Sequence, residues 1–372
     1  MSSGLVSKPS KNEGTMAKHL HLDFETRSPV DIKTAGADVY ARDPQTDVLC
    51  IAFAIDDEPI SLLIRPFTAE STEKLYRHVA EGRIVIAHNA PFELAIWNHV
   101  MARKYGAPVL APEQMICTMA MAYAMALPGS LDKASAAMGI DQQKDMQGQR
   151  IMLQLAQPRD ILQDGTVVWY TPETAPEKFE RLHSYCKQDV EVERQLFKRM
   201  LPLSAAEAET WALDYRINQR GVLVDVAVVK AAIAVVDNEQ RRLDLLMREI
   251  TGNQVAACTA SNQLLQWLKF RGCKIEGVAK ADVNALLAKE IPDDCRTALL
   301  LRQEAAKSST AKLKTMLKGV CDDGRLRGSF QYHGAATGRW AGRRVQLQNL
   351  PRPTISQADI NGVFSLLGSV QL

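Results

Sequence analysis

The sequence predicts an α/β protein in which a mixed sheet flanked by helices, residues 18–202, precedes a mostly α-helical part, residues 203–353. Three observations lead to this prediction. Short apolar runs separated by polar breaks fill the first ninety residues, which is typical of strands. Segments with apolar residues three or four apart follow, which is typical of helices. At Pro202 the composition changes to one dominated by Ala, Leu, Lys and Glu.

The strand predictions come from apolar runs with turn residues between them. The first three runs lie so close together that an antiparallel meander is favoured, and a later run predicts a fourth strand. These runs are residues 19–26, 48–55, 60–66 and 83–89. Helices are predicted over 91–106, 130–139 and 173–200, the second with Ser130 as its N-cap.

The second part begins with a helix signal. Ser204 and Glu207 fit a capping box, and the helix that they open is expected to end near Gly221. Helical patterns continue to Gly319. The predicted breaks between these helices are at Gly252, Gly272, Gly277 and Pro292.

Composition and terminal segments exclude several classes of protein. A chain of 372 residues with 46% hydrophobic and 24% charged residues can bury a normal core, so it is not wholly disordered. The longest apolar run, 119–127, is shorter than the roughly 20 residues that span a bilayer. Residues 1–17 lack the apolar region of a signal peptide and predict a flexible tail, whereas 354–372 carry no motif and predict a truncated tail. We therefore expect a cytoplasmic protein without a membrane partner.

Cysteine and charge distribution add two expectations. The seven cysteines include no C-x-x-C pair, which favours reduced thiols over a disulfide framework or a zinc site. The formal net charge is +2, but residues 301–353 hold eleven Lys or Arg and three acidic residues. Such a segment is suited to an anionic partner, although residues 302–318 are equally compatible with a solvated helix face.

Two carboxylates in the first predicted strand are candidate metal ligands. Asp23 and Glu25 lie two residues apart, so both side chains point to the same face of the strand. Two like charges in an otherwise apolar strand repel each other unless a cation is present, and carboxylate oxygens suit Mg²⁺ or Mn²⁺. The alternative is an edge strand whose carboxylates lie in water.

Two further motifs supply candidate residues. Asn89, Phe92 and Glu93 lie where the fourth strand meets the next helix, although a turn residue and a helix-dipole acid would have the same pattern. Tyr185 and Asp189 are four residues apart and share one face of a long helix. An Asp in mid-helix has a poor propensity and gains little there without a partner.

In this order the motifs resemble those of the DEDD superfamily of 3′-5′ exonucleases, which implies a ribonuclease H-like fold. The resemblance assigns Asp23, Glu25, Glu93 and Asp189 as ligands of two Mg²⁺ or Mn²⁺ ions, and Tyr185 marks the tyrosine-bearing subclass. The second motif of the superfamily normally ends in Asp, so Glu93 is a departure. The activity that the resemblance implies is two-metal hydrolysis of DNA 3′ ends to nucleoside 5′-monophosphates. Asn89 and Phe92 are then candidate contacts to unpaired terminal bases, although core packing is commoner for such aromatic residues.

A second resemblance lies in the basic segment GRLRGSFQYHGAATGRWAGRRVQLQNLPRP, residues 324–353. It is similar to the T-G-R and Q-N-x-P stretch of family A DNA polymerases of the bacterial DNA polymerase I type. Ala341 and Gly342 replace serines that are usual in the family. The resemblance implies contacts to the minor groove of a primer-template duplex, and neighbouring arginines could meet phosphates. The candidate DNA-binding residues are Thr337, Arg339, Arg343, Arg344, Gln348 and Asn349.

The resemblance extends over most of the chain. Residues 204–319 are consistent with the thumb of the family, and 214–225 are similar to its opening segment. The palm and finger motifs that catalyse nucleotide addition are not in this sequence, so the chain alone is not expected to add nucleotides. The hypothesis is a truncated, phage-like family A polymerase that keeps a proofreading exonuclease and whose palm and fingers are either lost or encoded on a separate chain. The alternatives are a non-catalytic DNA-binding or polymerase-assembly fragment, and an RNA-trimming exonuclease of the same superfamily.

Overall fold

The structure is a computed structural model, and it describes most of the chain. The described residues are 19–140, 145–306, 311–335, 337–350, 356–359, 361–362 and 365. The predicted N-terminal tail and most of the predicted C-terminal tail lie outside these residues. Internal contacts divide the chain into two compact units. The first is Met1–Gln219 with Phe330–Ala341, and the second is Arg220–Ser329 with Gly342–Leu372. The domain bounds 18–202 and 203–353 remain predictions.

A five-stranded mixed sheet forms the centre of the first unit. Its strands are β1 (Leu20–Arg27), β2 (Asp47–Ile55), β3 (Ser61–Ile64), β4 (Val85–Ala87) and β5 (Met115–Cys117). The spatial order is β3-β2-β1-β4-β5. The first three strands pair antiparallel, as the predicted meander requires, whereas β4 and β5 run parallel to β1. The predicted mixed sheet is confirmed, and β5 is a strand that the sequence analysis missed.

Helices cover both faces of this sheet. They are α1 (Ile32–Ala35), α2 (Ala37–Arg42), α3 (Ala69–Ala80), α4 (Ala90–Ile96), a π-helical turn (Trp97–Met101), α5 (Ala102–Tyr105), α6 (Thr118–Ala124), α7 (Leu131–Ala137), α8 (Met146–Leu155), α9 (Pro176–Arg199) and α10 (Ala205–Arg220). A 3₁₀ turn (Pro112–Gln114) and two short strands, β6 (Asp160–Ile161) and β7 (Val167–Val168), complete this part.

Three helix predictions differ from the structure in detail. The helix predicted over 91–106 contains a π-helical turn between α4 and α5. The helix predicted over 173–200 begins at Pro176, because a turn precedes it in which the Thr171 N–H donates a hydrogen bond to Thr174 Oγ1. Ser130 occupies the N-cap position of α7, but its side chain makes no capping hydrogen bond.

The two faces of the sheet are packed with different side chains. On one face, large residues of β1 and β2, including Phe24 and Phe53, join a core with Trp97. On the other face, small residues of β2 such as Ala52 and Ala54 lie in a core with α9. This alternation leaves space between β1 and α9, where the side chains on the second face of β1 lie.

The second unit is mostly helical, as predicted. Its elements are β8 (Val222–Leu223), α11 (Val226–Ile250), α12 (Ser261–Phe270), α13 (Lys280–Leu287), α14 (Asp293–Ala305), α15 (Ala311–Gly319) and β9 (Arg325–Leu326). The strands β8 and β9 pair antiparallel. Two short strands follow along the chain: β10 (Phe330–Gln331) belongs to the first unit, and β11 (Ala341–Gly342) lies where the chain returns to the second. A 3₁₀ turn (Leu347–Asn349) comes after them. Ser204 accepts a hydrogen bond from the Glu207 backbone before α10, as predicted.

No helix in the described ranges combines the length and the apolar character that crossing a bilayer requires. All seven cysteines are buried and none forms a disulfide, in agreement with the expected reduced thiols.

Candidate active site

The site begins with the face of β1 that lies beneath α9. His21, Asp23 and Glu25 alternate along β1, so period-two geometry points all three side chains to this face. The cross-strand partners of the two carboxylates are small, with Ala52 opposite Asp23 and Cys50 opposite Glu25. Small partners leave room for two carboxylates on a strand at the centre of the sheet. The alternative of an edge strand is therefore wrong.

The second element of the site is α9, which packs on β1 and β2. Tyr185, Cys186 and Asp189 lie within little more than one turn of this helix. The thiol of Cys186 donates a hydrogen bond to Asp23 Oδ2, with an Sγ–Oδ2 distance of 3.4 Å. Ligand atoms of Asp23, Glu25 and Cys186 all lie within 4.8 Å of one another. The helix thus brings side chains more than 160 residues apart in sequence into one cluster.

The third element is the start of α4, after β4. Asn89 has a left-handed backbone with φ of 69°, which turns the chain sharply into the helix, and Pro91 lies in its first turn. Glu93 in this first turn is 3% exposed. Its Oε2 atom is buried and has no hydrogen-bond partner within the part of the chain that the structure describes. A buried carboxylate oxygen without a donor is costly, and a cation would remove that cost.

The carboxyls of these three elements influence one another electrostatically. Burial raises the pKa of Asp23 to about 6, partly offset by the hydrogen bond from Cys186. Burial and the charge of Asp23 raise the pKa of Asp189 to about 8. The pKa values of Glu25 and Glu93 are also raised, first by burial and then by the neighbouring carboxylates. All four predicted carboxylates therefore belong to one electrostatic cluster, in which a positive charge would be strongly favoured.

Tyr185 is held close to this cluster. Burial, followed by the charge of Asp189, raises the pKa of the Tyr185 hydroxyl, so it stays neutral and bonds to the Asp189 carboxylate. Gly148 of α8 lies against its ring, because a Cβ atom there would come within 2.6 Å of Tyr185 Cδ2. Asp145 caps the same helix end through the Gly148 N–H, at 2.8 Å. The start of α8 thus fixes one side of the tyrosine ring.

Three site residues were missed by the sequence analysis. His21 and Glu193 form a buried pair, with His21 Nδ1 2.6 Å from Glu193 Oε2. Their positions carried a signal, because His21 lies two residues before Asp23 and Glu193 lies four residues after Asp189. The third, Cys186, had no signal in the sequence, because its place in the cluster comes from the packing of α9 on β1.

The two candidate base-contact residues at the β4–α4 junction differ in exposure. Asn89 is exposed. Phe92 is half-buried and packs against the core beside Tyr40, with ring centroids 6.1 Å apart. Part of the Phe92 ring is therefore covered by core contacts, and only the rest is accessible.

Thr337 and Arg339, the candidate DNA-binding residues of the first unit, are both exposed. Arg339 lines a cavity of about 220 Å³ together with Glu207 and Tyr332, which hydrogen bond to each other. The Arg339 carbonyl accepts a hydrogen bond from the Ala335 N–H at 3.1 Å, which closes the loop that carries the T-G-R sequence. Ala336, in the same loop, lies outside the described residues.

The remaining candidates belong to the second unit. Arg343, Gln348 and Asn349 are exposed. Arg344 has a left-handed backbone, and its guanidinium donates a hydrogen bond to the Arg327 carbonyl. Exposed as they are, two of these side chains also make contacts within the unit: Asn349 Nδ2 donates a hydrogen bond to Gln346 Oε1 at 2.9 Å, and the Gln348 amide lies against Gly342. The Pro351 and Pro353 positions of the predicted motif lie outside the described residues.

Comparisons with known proteins relate the chain to DNA polymerases. No protein-family model matches it. In sequence it is 37% identical over 347 residues to the DNA polymerase of Bacillus phage SP02, an alignment that covers 92% of this chain and 52% of the phage protein. In fold it is similar to the POL domain of Pol1 from M. smegmatis, solved in complex with DNA primer-template and dNTP. That match has a TM-score of 0.52 at 16% identity and covers 91% of this chain and 53% of that chain.

Both similarities are to DNA polymerases, and both cover about nine tenths of this chain. The chain is similar to a DNA polymerase in sequence and has a fold similar to that of a polymerase domain. It spans about half the length of each of these proteins.

Proposed function

We propose that the chain is part of a phage-like family A DNA polymerase and that its N-terminal region is a metal-dependent 3′-5′ exonuclease acting on DNA. The observation that carries this proposal is the cluster of Asp23, Glu25, Glu93 and Asp189 beside Tyr185, in which Glu25 and Glu93 are buried and the two aspartates are partly exposed. The strand order, with three antiparallel strands followed by two parallel ones, supports a ribonuclease H-like fold. The similarity to the polymerase of a Bacillus phage supports DNA as the substrate.

The residues of the cluster fit divalent cations. Carboxylate oxygens are hard ligands that suit Mg²⁺ or Mn²⁺. The Glu93 Oε2 atom has no hydrogen-bond partner in the described ranges, and the carboxyl pKa values are raised; both observations support a cation between these groups. Asp23, Glu25 and Asp189 would hold two ions, and Glu93 would support the second. When bound, such ions supply Lewis-acid stabilisation and lower the pKa of a bound water.

The side chains of the cluster have distinct tasks in the proposed reaction. The neutral Tyr185 hydroxyl and the Glu25 carboxylate orient a water molecule for in-line attack on the terminal phosphodiester. As the new P–O bond forms, the water loses one proton to solvent and the bond to the 3′ oxygen of the preceding nucleotide breaks; that oxygen takes up a proton from solvent and leaves as a hydroxyl. The product is a nucleoside 5′-monophosphate. Asn89 and Phe92 would contact the unpaired bases at the 3′ end.

Duplex DNA is the second proposed partner, and the basic segment would bind it. Residues 301–353 carry eleven Lys or Arg and three acidic residues. Arg339 and Arg343 would contact the primer-template, and Gln348 and Asn349 would donate hydrogen bonds to acceptors of the minor groove. The proposal assigns no nucleotide addition to the residues of this sequence.

Shortening of a 5′-labelled single-stranded oligonucleotide tests the exonuclease. With Mg²⁺ or Mn²⁺ we expect stepwise loss from the 3′ end and release of nucleoside 5′-monophosphates. Asp23→Ala should lower kcat/KM at least about a hundredfold, since metal ligands contribute several kcal/mol of transition-state stabilisation. The matched control is Asp164→Ala, an exposed Asp in the loop between β6 and β7.

Digestion by Asp23→Ala at the rate of the unaltered chain would contradict the proposal. Loss of digestion in both variants would point to unfolding, and circular dichroism distinguishes that case. Binding of DNA by a folded chain that digests neither DNA nor RNA would favour the non-catalytic alternative. Preferential digestion of RNA would favour the RNA-trimming alternative.

A further inference from the structure

The Cys186 thiol is in an unusual position for a buried cysteine. Its side chain is fully buried, and Sγ lies 3.4 Å from Asp23 Oδ2 and 3.8 Å from the Asp23 carbonyl oxygen. Sγ, a carboxylate oxygen of Asp23 and one of Glu25 lie within 4.8 Å of one another. An ion held by both carboxylates at this point would therefore have a sulfur atom within reach.

A second observation indicates that a cation belongs here. Glu93 is almost completely buried, and its Oε2 atom has no hydrogen-bond partner among the described residues. Burial, followed by the charge of Asp23, raises the pKa of Glu93, and Glu93 in turn contributes to the raised pKa of Glu25, so this carboxyl lies within electrostatic reach of the same cluster. The cluster therefore offers one sulfur atom in addition to its carboxylate oxygens.

We propose that Cys186 is a protein ligand of this metal site and gives it a preference for a thiophilic divalent cation, Zn²⁺, over Mg²⁺. The inference rests on the carboxylate site of the proposed function, but not on cleavage itself. Zn²⁺ accepts sulfur and oxygen ligands together, whereas Mg²⁺ requires oxygen ligands. As the metal–sulfur bond forms, the thiol proton leaves to water, and the thiolate replaces the hydrogen bond that Cys186 now donates to Asp23.

The neighbouring cysteine is a matched control. Cys50 is also fully buried, and its side chain is close enough to interact with both Cys186 and Glu25. However, its sulfur does not belong to the group of converging ligand atoms. Replacing either cysteine with serine changes one atom and keeps the packing volume nearly constant.

Cobalt binding to the full chain tests the ligand directly. Co²⁺ bound through a thiolate has a sulfur-to-metal charge-transfer band in the near ultraviolet. We expect this band in the unaltered chain and in Cys50→Ser, and its loss in Cys186→Ser. In calorimetry, Cys186→Ser should weaken Zn²⁺ binding at least about tenfold and change Mg²⁺ binding by less than about twofold.

The possible results are distinguishable. Co²⁺ binding without the band, or a band that persists in Cys186→Ser, overturns the proposal and leaves the carboxylate site intact. A band lost in Cys50→Ser and kept in Cys186→Ser also overturns it. If the unaltered chain binds neither Mg²⁺, Mn²⁺ nor Co²⁺, the proposed function fails as well. Near-ultraviolet circular dichroism verifies that each variant is folded.

Zn²⁺ inhibition of DNA digestion gives a second measurement. If Cys186 binds Zn²⁺ at this site, Zn²⁺ should displace Mg²⁺ at low concentration in the unaltered chain. Cys186→Ser should then need at least about tenfold more Zn²⁺ for the same inhibition. Equal sensitivity of the two proteins would contradict the proposal.

Discussion

In the first unit the candidate catalytic carboxylates cluster around β1, where Glu25 and Glu93 are buried, and burial followed by neighbouring carboxylates raises the pKa of both. In the second unit the candidate DNA-binding side chains of Arg343, Gln348 and Asn349 are exposed. The buried carboxylates are fixed by packing, and their repulsion is a cost of folding that a bound cation can remove. The exposed groups cost little, and their contributions to binding are screened by salt.

This difference predicts that single substitutions have unequal effects in the two regions. A buried cluster acts as a unit, so loss of one carboxylate should impair the whole site. Exposed phosphate contacts act nearly independently, so loss of one arginine should remove one increment of affinity.

The largest effect is expected from Asp189→Ala. This change should lower kcat/KM for 3′-end digestion at least about a hundredfold, because Asp189 interacts with the charge of Asp23 and with the Tyr185 hydroxyl. Affinity for primer-template duplex should stay the same, as measured by fluorescence anisotropy. If Asp189→Ala digests DNA at the normal rate, the reaction takes place at another site. If the variant also loses affinity for duplex DNA, the two regions are not separable.

A smaller effect is expected from the arginines. Arg339→Ala should weaken duplex binding by roughly 1–3 kcal/mol if its side chain reaches base edges. Arg343→Ala should reduce the slope of log affinity against log salt by about 0.9, the value for one phosphate contact. Both variants should digest single-stranded DNA at the normal rate. Unchanged affinity and an unchanged salt slope would mean that this segment is a solvated surface.

The smallest effect concerns stability in the absence of metal. The pKa of Asp23 is raised to about 6 and that of Asp189 to about 8, so their protonated forms favour the folded state. Their stabilising contribution is complete below their unfolded pKa values and is lost as the pH rises through about 6 and about 8. The melting temperature of the metal-free chain should therefore fall over this range, and Mg²⁺ should reverse the fall.

The double variant Asp23→Asn with Asp189→Asn separates this contribution from the rest of the chain. It should have a flatter pH dependence and should lose the response to Mg²⁺. A melting temperature of the unaltered metal-free chain that does not change between these pH values would contradict the pKa shifts.

The sequence predicted much of the sheet and of the carboxylate cluster. Alternation in β1 placed Asp23 and Glu25 on one face, and the four-residue spacing in α9 placed Tyr185 beside Asp189. These are local regularities of the backbone, so they can be recognised without the fold. The mixed sheet, flanked by helices, is confirmed for the same reason. The strand β5 was missed, because it runs without a break into the apolar residues of α6 and no turn residue marks its end.

Tertiary structure alone decided what surrounds the carboxylates. Cys186 entered the site because α9 packs on β1 above the small residues of β2, a contact between segments far apart in sequence. The same packing buried the pair of His21 and Glu193, and at the start of α4 the buried Glu93 Oε2 atom has no hydrogen-bond partner among the described residues. The local sequence determines which face of its own helix or strand a side chain occupies. The group that lies opposite depends on long-range packing, and this packing determines the pKa values and the ligand set of the site.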